Sequence, residues 1–149
     1  MTTAATSAAL ERIRQVVGPQ GIIADPREIE PHVLDWRGLH RGATPAIVRP
    51  ANPEETATVV RICADARIAI VPQGGNTGMC GASVPSAAGG EIVLNLGRMN
   101  RVLNVDALNN TLTVEAGCIL ANVQQAARND PITAIGRGIG SILRKIIHW

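Results

Sequence analysis

The stretch RPANPEETATVVRICADARIAIVPQGGNTGMCGASVP, residues 49–85, passes from a helical pattern to a strand and then to a glycine-rich loop. Asn52 and Pro53, followed by two glutamates, open the helix, because an amide caps the first turn, proline fits its first position and carboxylates favour its positive end. The apolar run IAIVP, residues 68–72, predicts a short strand directly before the loop. One helical face then carries the apolar residues Val59, Ile62, Cys63 and Ala66.

A second apolar run, PAIVRP at residues 45–50, precedes this helix. Residues 46–72 therefore predict a strand, a crossover helix and a parallel strand with the usual right-handed connection. Three more β-rich runs follow the loop at residues 91–96, 101–106 and 111–117, and they predict a small mixed or antiparallel sheet. Residues 119–128 return to helical spacing, with Ile119, Val123 and Ala126 or Ala127 expected to face inward.

The first forty residues predict a helix and a lead-in arm. Leu10, Ile13 and Val17 follow helical spacing, Thr6 or Ser7 is placed to cap the start, and Gly18-Pro19 ends the segment. Residues 21–42 are interrupted by prolines and charges, which favours a connecting arm with one short helical turn at most.

Composition limits the class of protein. The chain has 149 residues with 46% hydrophobic and 17% charged content, which indicates one globular domain. Its net charge of +2 is scattered rather than clustered, and aromatic residues make up 1%, so nucleic acid is set aside as a partner. No run approaches the length of a transmembrane segment.

The thiols and imidazoles do not form metal-ligand patterns. Cys63, Cys80 and Cys118 are widely spaced without a CxxC pair, which argues against a disulfide framework or a zinc site and favours a reducing compartment, the cytoplasm. His32, His40 and His148 also lack the spacing of a metal set. No metal site is predicted.

The loop VPQGGNTGMCG, residues 71–81, holds four glycines in eleven residues. Glycines let consecutive backbone N–H groups approach an anion such as phosphate. No helix follows as in a dinucleotide-binding G-x-G-x-x-G loop, and the lone lysine, Lys145, is too far downstream for a Walker loop. Residue types alone leave both a phosphate site and a tight turn between strands open, since Asn76, Thr77 and Ser83 can bond either a phosphate or their own backbone.

The order of motifs carries a resemblance to a known family. Residues 49–85, followed by EIVLNLGRMNRVLNVD at 91–106 and LTVEAGCIL at 112–120, resemble the first half of the FAD-binding domain in the vanillyl-alcohol-oxidase/PCMH superfamily. Within it, the chain looks most like FAD-linked 2-hydroxy-acid dehydrogenases. The resemblance implies an α+β fold: a βαβ unit, a small mixed or antiparallel sheet and a helix, in a partial FAD-binding domain over residues 41–130.

The same resemblance implies a cofactor site. Residues 71–83 would wrap the FAD pyrophosphate, and Gly117 would let the backbone pass close to the flavin, although a turn glycine ending a strand explains Gly117 equally well. Some relatives attach FAD covalently through a histidine where Asn76 stands, so non-covalent FAD is expected. The implied cofactor-binding residues are Pro72, Gln73, Gly74, Gly75, Asn76, Thr77, Gly78, Gly81, Ser83 and Gly117.

Full-length relatives of this type oxidise a small 2-hydroxy acid, such as D-lactate, D-2-hydroxyglutarate or glycolate, to the 2-oxo acid. No catalytic residue is assigned here, because residues 131–149 depart from the family pattern. This atypical tail is interpreted as the product of a frameshifted, truncated or misjoined gene, and an out-of-frame sequence is one of these alternatives. The chain is therefore expected to retain part of the FAD-binding domain and to be inactive alone. The alternative is a non-enzymatic remnant or partner subunit that completes an FAD site with another chain. A third hypothesis, a sugar-nucleotide reductase of the same superfamily, agrees less well with the sequence of the loop.

Overall fold

A computed structural model describes residues 4–129 of the chain, which divides into two compact units, Met1–Arg98 and Met99–Trp149. The first unit contains helices α1 (Ala4–Val17), α2 (Pro26–Val33) and α3 (Pro53–Asp65), a 3-10 turn (Pro19–Gly21), and strands β1 (Ile22–Ile23), β2 (Ile47–Val48), β3 (Ile70–Gln73) and β4 (Ile92–Asn95). The second contains strands β5 (Val102–Asp106) and β6 (Thr111–Val114) and helix α4 (Leu120–Asn129). The α+β class is confirmed.

The four strands of the first unit form one sheet in the order β1-β2-β4-β3. β2 and β3 both run parallel to β4, so the predicted strand, crossover helix and parallel strand are confirmed. β4 lies between them instead of joining the later strands, which follows from its composition, because all four of its residues are buried and suit a position covered on both faces.

Helices cover both faces of this sheet. On one face, α1 and α3 pack around a core that includes Ile13, Val59 and Ile92. On the other face, α2 places Ile29 and Val33 against Ile47 of β2 and Val93 of β4. Neighbouring strand residues therefore belong to different cores, as the alternation of side chains along a strand requires.

The ends of the helices follow local chemistry. α3 begins after Asn52, whose Oδ1 accepts a hydrogen bond from the backbone N–H of Glu55 at 2.7 Å, as predicted. α1 ends at Val17 before Gly18, also as predicted, but Thr6 and Ser7 lie inside that helix, so the prediction that one of them caps its start is wrong.

The lead-in arm is more ordered than its prolines predict. β1 pairs with β2, and α2 is an eight-residue helix whose cap is Asp25, with Pro26 at the first helical position. Pro31 lies inside this helix, and its carbonyl faces the glycine-rich loop described below. The arm thus belongs to the same compact unit as the sheet.

In the second unit, β5 and β6 form an antiparallel pair joined by a turn in which Asn110 adopts a φ of 51°. Asp106 Oδ1 accepts hydrogen bonds from the backbone N–H groups of Leu108 and Asn109, which closes the turn. Val123 of α4 is buried as predicted, whereas Ile119 precedes the helix and is 65% exposed, so its predicted inward position is wrong. The atypical tail at residues 131–149 lies outside the described residues.

Candidate functional site: the glycine-rich loop

The loop of residues 74–83 begins where β3 ends, at the carboxyl end of a parallel strand. Ligands of open α/β sheets bind beyond these ends. The carbonyls of Ala69 and Gln73 accept hydrogen bonds from the backbone N–H groups of Ile92, in β4, and Leu96, just after it. Because backbone groups alternate in direction along a strand, those of Pro72 face away from β4. A proline there leaves the sheet edge without one N–H donor, which disfavours further strand pairing.

The backbone N–H groups of residues 74–78 have no hydrogen-bond acceptor within residues 4–129. A methyl group added at Gly74 would meet no atom within 4 Å, and one at Gly75 would meet only Thr77 Cγ2 at 3.9 Å. Neither glycine has a positive φ. Their small size is therefore required neither by backbone conformation nor by internal packing, and it leaves open space beside unused donors. Successive unused backbone N–H groups are the kind of donors that anion-binding turns provide.

Asn76 follows the paired glycines and adopts a φ of 54°. Its Nδ2 donates to the carbonyl of Leu34 at 2.8 Å and to that of Pro31 at 3.3 Å. Its Oδ1 accepts a hydrogen bond from Ser83 Oγ at 2.9 Å. The side chains of Asn76 and Ser83 are therefore hydrogen-bonded to other groups of the chain.

Gln73 is buried at 1% exposure beneath the loop. Its Nε2 donates to the carbonyls of His32 at 2.8 Å and Ser83 at 2.9 Å, so its Oε1 is the acceptor that faces His32 Nδ1 at 2.6 Å. This pattern requires a proton on His32 Nδ1. Asn95 Nδ2 adds hydrogen bonds to Gln73 Oε1 at 3.3 Å and to the carbonyl of Gly74 at 3.2 Å.

The side chains of Gln73 and Asn76 meet the carboxyl-terminal end of α2. The last carbonyls of a helix lack partners within the helix and need other donors. Here the carbonyls of Pro31, His32 and Leu34 accept from these two carboxamides. The glycine-rich loop and α2 therefore satisfy each other's polar groups.

Two further glycines hold the arm against the loop at van der Waals distance. A Cβ added at Gly42 would lie 1.7 Å from the carbonyl oxygen of Pro85. At Gly81, with a φ of 72°, it would lie 2.7 Å from the ring of His40. The Pro85 carbonyl and the His40 ring occupy the space that side chains at positions 42 and 81 would need. Glycine at these two positions therefore allows residues 40–42 to pass directly beside the loop.

Asp35 organises the short turn between α2 and these residues. It is 2% exposed, and its Oδ1 accepts a hydrogen bond from the backbone N–H of His40 at 2.8 Å. The Asp35 backbone N–H donates in turn to the carbonyl of His40 at 3.0 Å. The backbone N–H of His40 is also the main reason why the pKa of Asp35 lies below its ordinary value, since it favours the ionised carboxylate.

The structure places seven of the ten predicted cofactor residues in the loop of residues 74–83, and Pro72 and Gln73 at the end of β3 directly before it. The tenth, Gly117, lies in the second unit. The backbone N–H of Gly117 donates to the carbonyl of Met99 at 2.8 Å in the turn that follows β6. The role of each residue toward FAD stays a prediction.

Sequence reasoning missed His32, Asp35, Gly42 and Asn95. Asn95 had a readable signal, because it is a polar residue inside the apolar run EIVLNL and such a residue needs a partner when buried. The other three carried no local signal, since their partners lie far along the chain.

Cys63 and Cys118 show features of packing rather than of chemistry, whereas Cys80, which was also expected to be a packing thiol, is exposed. Cys63 is buried, and burial raises its pKa above the ordinary value. Cys118 Sγ donates to the carbonyl of Arg101 at 3.3 Å, and its pKa is raised chiefly by burial. A raised pKa disfavours the reactive thiolate. Among residues 4–129, no group of three or more His, Cys, Asp or Glu side chains is placed to hold a metal ion.

The fold and the loop together define an FAD-binding domain. Residues 44–139 match the family model described as FAD binding domain. The chain therefore belongs to this FAD-binding family, as its motifs predict.

The curated relatives are dehydrogenases by name and are much longer. The chain is 41% identical over 118 residues to mitochondrial D-2-hydroxyglutarate dehydrogenase of Bos taurus, covering 79% of this chain and 21% of the relative. It is 34% identical over 116 residues to a putative mitochondrial D-lactate dehydrogenase of Schizosaccharomyces pombe, covering 73% and 22%. The chain thus spans about a fifth of the length of these relatives.

Solved structures share the fold at lower sequence identity. Alkyldihydroxyacetonephosphate synthase superposes with a TM-score of 0.73 at 22% identity, over 83% of this chain and 25% of that protein. p-Cresol methylhydroxylase gives a TM-score of 0.71 at 21% identity, over 87% and 25%. These likenesses show that the chain shares its fold with part of each of these proteins. Among the described residues, no helix is long and apolar enough to cross a membrane.

Proposed function

We propose that the loop of residues 71–83 binds the pyrophosphate of FAD without a covalent bond, and that this site serves the oxidation of a small 2-hydroxy acid to the 2-oxo acid. One observation carries the proposal. The backbone donors of residues 74–78 have no acceptor within residues 4–129, while the side chains of Gln73, Asn76 and Ser83 are bonded toward the chain. The loop therefore offers donors to a ligand through its backbone.

A pyrophosphate matches these donors chemically. Its oxygens each accept several hydrogen bonds, and successive N–H groups in a turn provide partial positive charge without a cationic side chain. Residues 71–83 contain no lysine or arginine, so the backbone is the source of positive potential within the loop itself. Thr77 and Gly78 are exposed and accessible to a ligand from solvent.

The chemistry of Asn76 supports the proposal of non-covalent attachment. A carboxamide is not a nucleophile toward a flavin, and this one is already bonded to Leu34, Pro31 and Ser83. A covalently attached flavin would need a side chain that this position does not supply.

The reaction class is supported by the names of the relatives, D-2-hydroxyglutarate and D-lactate dehydrogenases. When bound, FAD supplies the electron acceptor for a hydride from the substrate Cα, a chemistry that no side chain provides. The residues described here bind and orient the cofactor, and the groups that hold the hydroxy acid and remove its hydroxyl proton are assigned to none of them. The free thiols Cys63, Cys80 and Cys118 support a reducing compartment, and we propose the cytoplasm.

A titration of the ¹⁵N-labelled chain tests the pyrophosphate site. FAD and ADP share a pyrophosphate, whereas riboflavin has the flavin ring without phosphate. We expect weak binding of FAD and ADP, with the largest amide shifts at residues 74–78, and no shifts there with riboflavin. Dispersed amide signals before titration serve as the folding control. Equal shifts with riboflavin, or none with millimolar ADP, would overturn the proposal.

The substitution Gly74→Ala is the matching variant. A methyl group at this position meets nothing within 4 Å, so we expect the urea midpoint to stay near that of the wild type. The methyl group would narrow the approach to the loop amides, so ADP binding should weaken. Gly90→Ala serves as control, because a methyl group there also meets nothing within 4 Å.

A further inference from the structure

We propose that Asn76 is a positioning residue: its side chain ties the glycine-rich loop to the end of α2 and so presents the backbone donors of residues 74–78, without itself touching phosphate. This inference rests on the proposed function. It assigns the side chain of Asn76 to the support of the loop and leaves ligand binding to the main chain around it.

The donor count of Asn76 excludes its side chain as a phosphate ligand. Nδ2 carries two hydrogens, and the carbonyls of Leu34 and Pro31 accept one each, at 2.8 Å and 3.3 Å. Oδ1 accepts from Ser83 Oγ. What remains on this side chain is acceptor capacity, and an acceptor does not bind a phosphate oxygen.

The backbone of Asn76 explains why the support is needed. A φ of 54° lies in the left-handed region, which asparagine adopts at lower cost than most residues but which still costs free energy. Three side-chain hydrogen bonds, to two points on the arm and one across the loop, offset that cost. They fix the turn between Gly75 and Thr77, whose N–H groups are available to a ligand.

Asparagine is the suitable side chain for this role. Aspartate has the same shape but no hydrogens, so its carboxylate would face the carbonyl oxygens of Leu34 and Pro31 without a donor. Glycine keeps the left-handed φ and removes every tether. Asn76→Gly therefore separates the tether from the backbone conformation.

The chain contains a matched control for this substitution. Asn110 has a φ of 51°, close to that of Asn76, and lies in the turn between β5 and β6 of the other compact unit. Asn110→Gly makes the same chemical change at a nearly equal φ. Ser83→Ala is the milder second variant, because it removes one anchor of Asn76 and leaves the bonds to the arm.

The experiment uses the full ¹⁵N-labelled chain, with ADP as the probe. Without ligand, we expect backbone order parameters at residues 74–78 near about 0.85 in the wild type and in Asn110→Gly, and below about 0.6 in Asn76→Gly. Ser83→Ala should lie between them. Urea midpoints of the same samples show whether the loop loosens in a chain that stays folded.

ADP then separates a positioning residue from a ligand. We expect the Asn76 side-chain amide signals to stay nearly unchanged while the backbone signals of residues 74–78 shift, and Asn76→Gly to bind ADP about tenfold more weakly. An Asn76 side-chain shift larger than the backbone shifts would overturn the inference, as would a loop that stays rigid in Asn76→Gly. If ADP shifts nothing in the wild type, the proposed function fails, while the ligand-free order parameters still decide whether Asn76 holds the loop.

Discussion

Two different reasons explain why glycines, rather than residues with a side chain, stand around the loop. At Gly42 and Gly81, protein atoms occupy the place of a side chain, at 1.7 Å and 2.7 Å from an added Cβ. At Gly74, by contrast, an added methyl group meets nothing within 4 Å. The first two glycines serve the packing of the arm on the loop, and Gly74 leaves the approach to the backbone donors open. Substitutions at the two kinds of position should therefore affect different properties.

The substitution Gly42→Ala tests the packing role. Its methyl group would collide with the backbone oxygen of Pro85, which cannot move away as a flexible side chain can. We expect a loss of at least about 2 kcal/mol in the free energy of unfolding, measured by urea denaturation. Gly90→Ala should leave stability unchanged or raise it by up to about 1 kcal/mol. Equal midpoints for Gly42→Ala and the wild type would contradict the close approach seen here.

Asp35 makes stability depend on pH. Its pKa lies below the ordinary value of 3.8, chiefly through the backbone N–H of His40. A carboxyl group with a lowered folded-state pKa stabilises the fold above its unfolded pKa, and this contribution is lost as the pH falls through 3.8 toward the folded value.

Asp35→Asn removes that proton-linked contribution. We expect the difference in urea midpoint between the wild type and Asp35→Asn to be largest near about pH 6 and to shrink below about pH 4. The measurement is a series of urea titrations across this range. A difference that stays constant with pH would show that Asp35 acts through shape rather than charge.

At the scale of elements, α2 and the glycine-rich loop complete each other. The carbonyls at the end of α2 accept hydrogen bonds from the side chains of Gln73 and Asn76. The same bonds hold the loop in place on the helix. Asn95, from the central strand β4, holds the first peptide of the loop through the carbonyl of Gly74. The candidate site is therefore built by a helix, a loop and a strand that are far apart in sequence.

The crossover helix α3 depends on its cap. Asn52 Oδ1 accepts from the Glu55 backbone N–H, while Glu55 Oε2 accepts from the Ala51 backbone N–H at 2.8 Å. Because Asn52→Ala leaves a helix donor unsatisfied, we expect a loss of about 1 kcal/mol in stability by urea unfolding. Asn52→Asp keeps the acceptor and should stay close to the wild type. A full loss in Asn52→Asp as well would contradict the capping explanation.

At the scale of the whole molecule, the chain corresponds to about a fifth of its curated relatives. Its described residues provide a sheet covered by helices, a loop with available backbone donors and a second small unit. Oxidation of a hydroxy acid also requires groups that hold the substrate carboxylate and a base for its hydroxyl proton, and we assign neither to this chain.

We therefore expect this 149-residue chain, supplied with FAD, to show no turnover of D-2-hydroxyglutarate or D-lactate. Reduction of a redox dye by the purified chain measures this directly, with FAD alone as the blank. Substrate-dependent dye reduction above the blank would contradict the expectation, and it would place the missing groups within this chain.

The sequence alone determined the local elements and the family. Asn52-Pro53 defined the start of α3, Gly18 the end of α1, and the order of motifs around GGNTG defined the FAD-binding family. These features depend on interactions between residues that are close in sequence, such as helix caps, apolar periodicity and the placement of glycine. They can therefore be read from the sequence directly.

Only the tertiary structure decided how the loop is held. It placed β4 between β2 and β3, folded the arm into α2, and turned Asn76 toward Leu34, 42 residues away in sequence. A carboxamide has the same hydrogen-bonding capacity toward a phosphate as toward a carbonyl, so its residue type cannot reveal its partner. The choice depends on which groups the packed chain brings within about 3 Å, and long-range packing sets that distance.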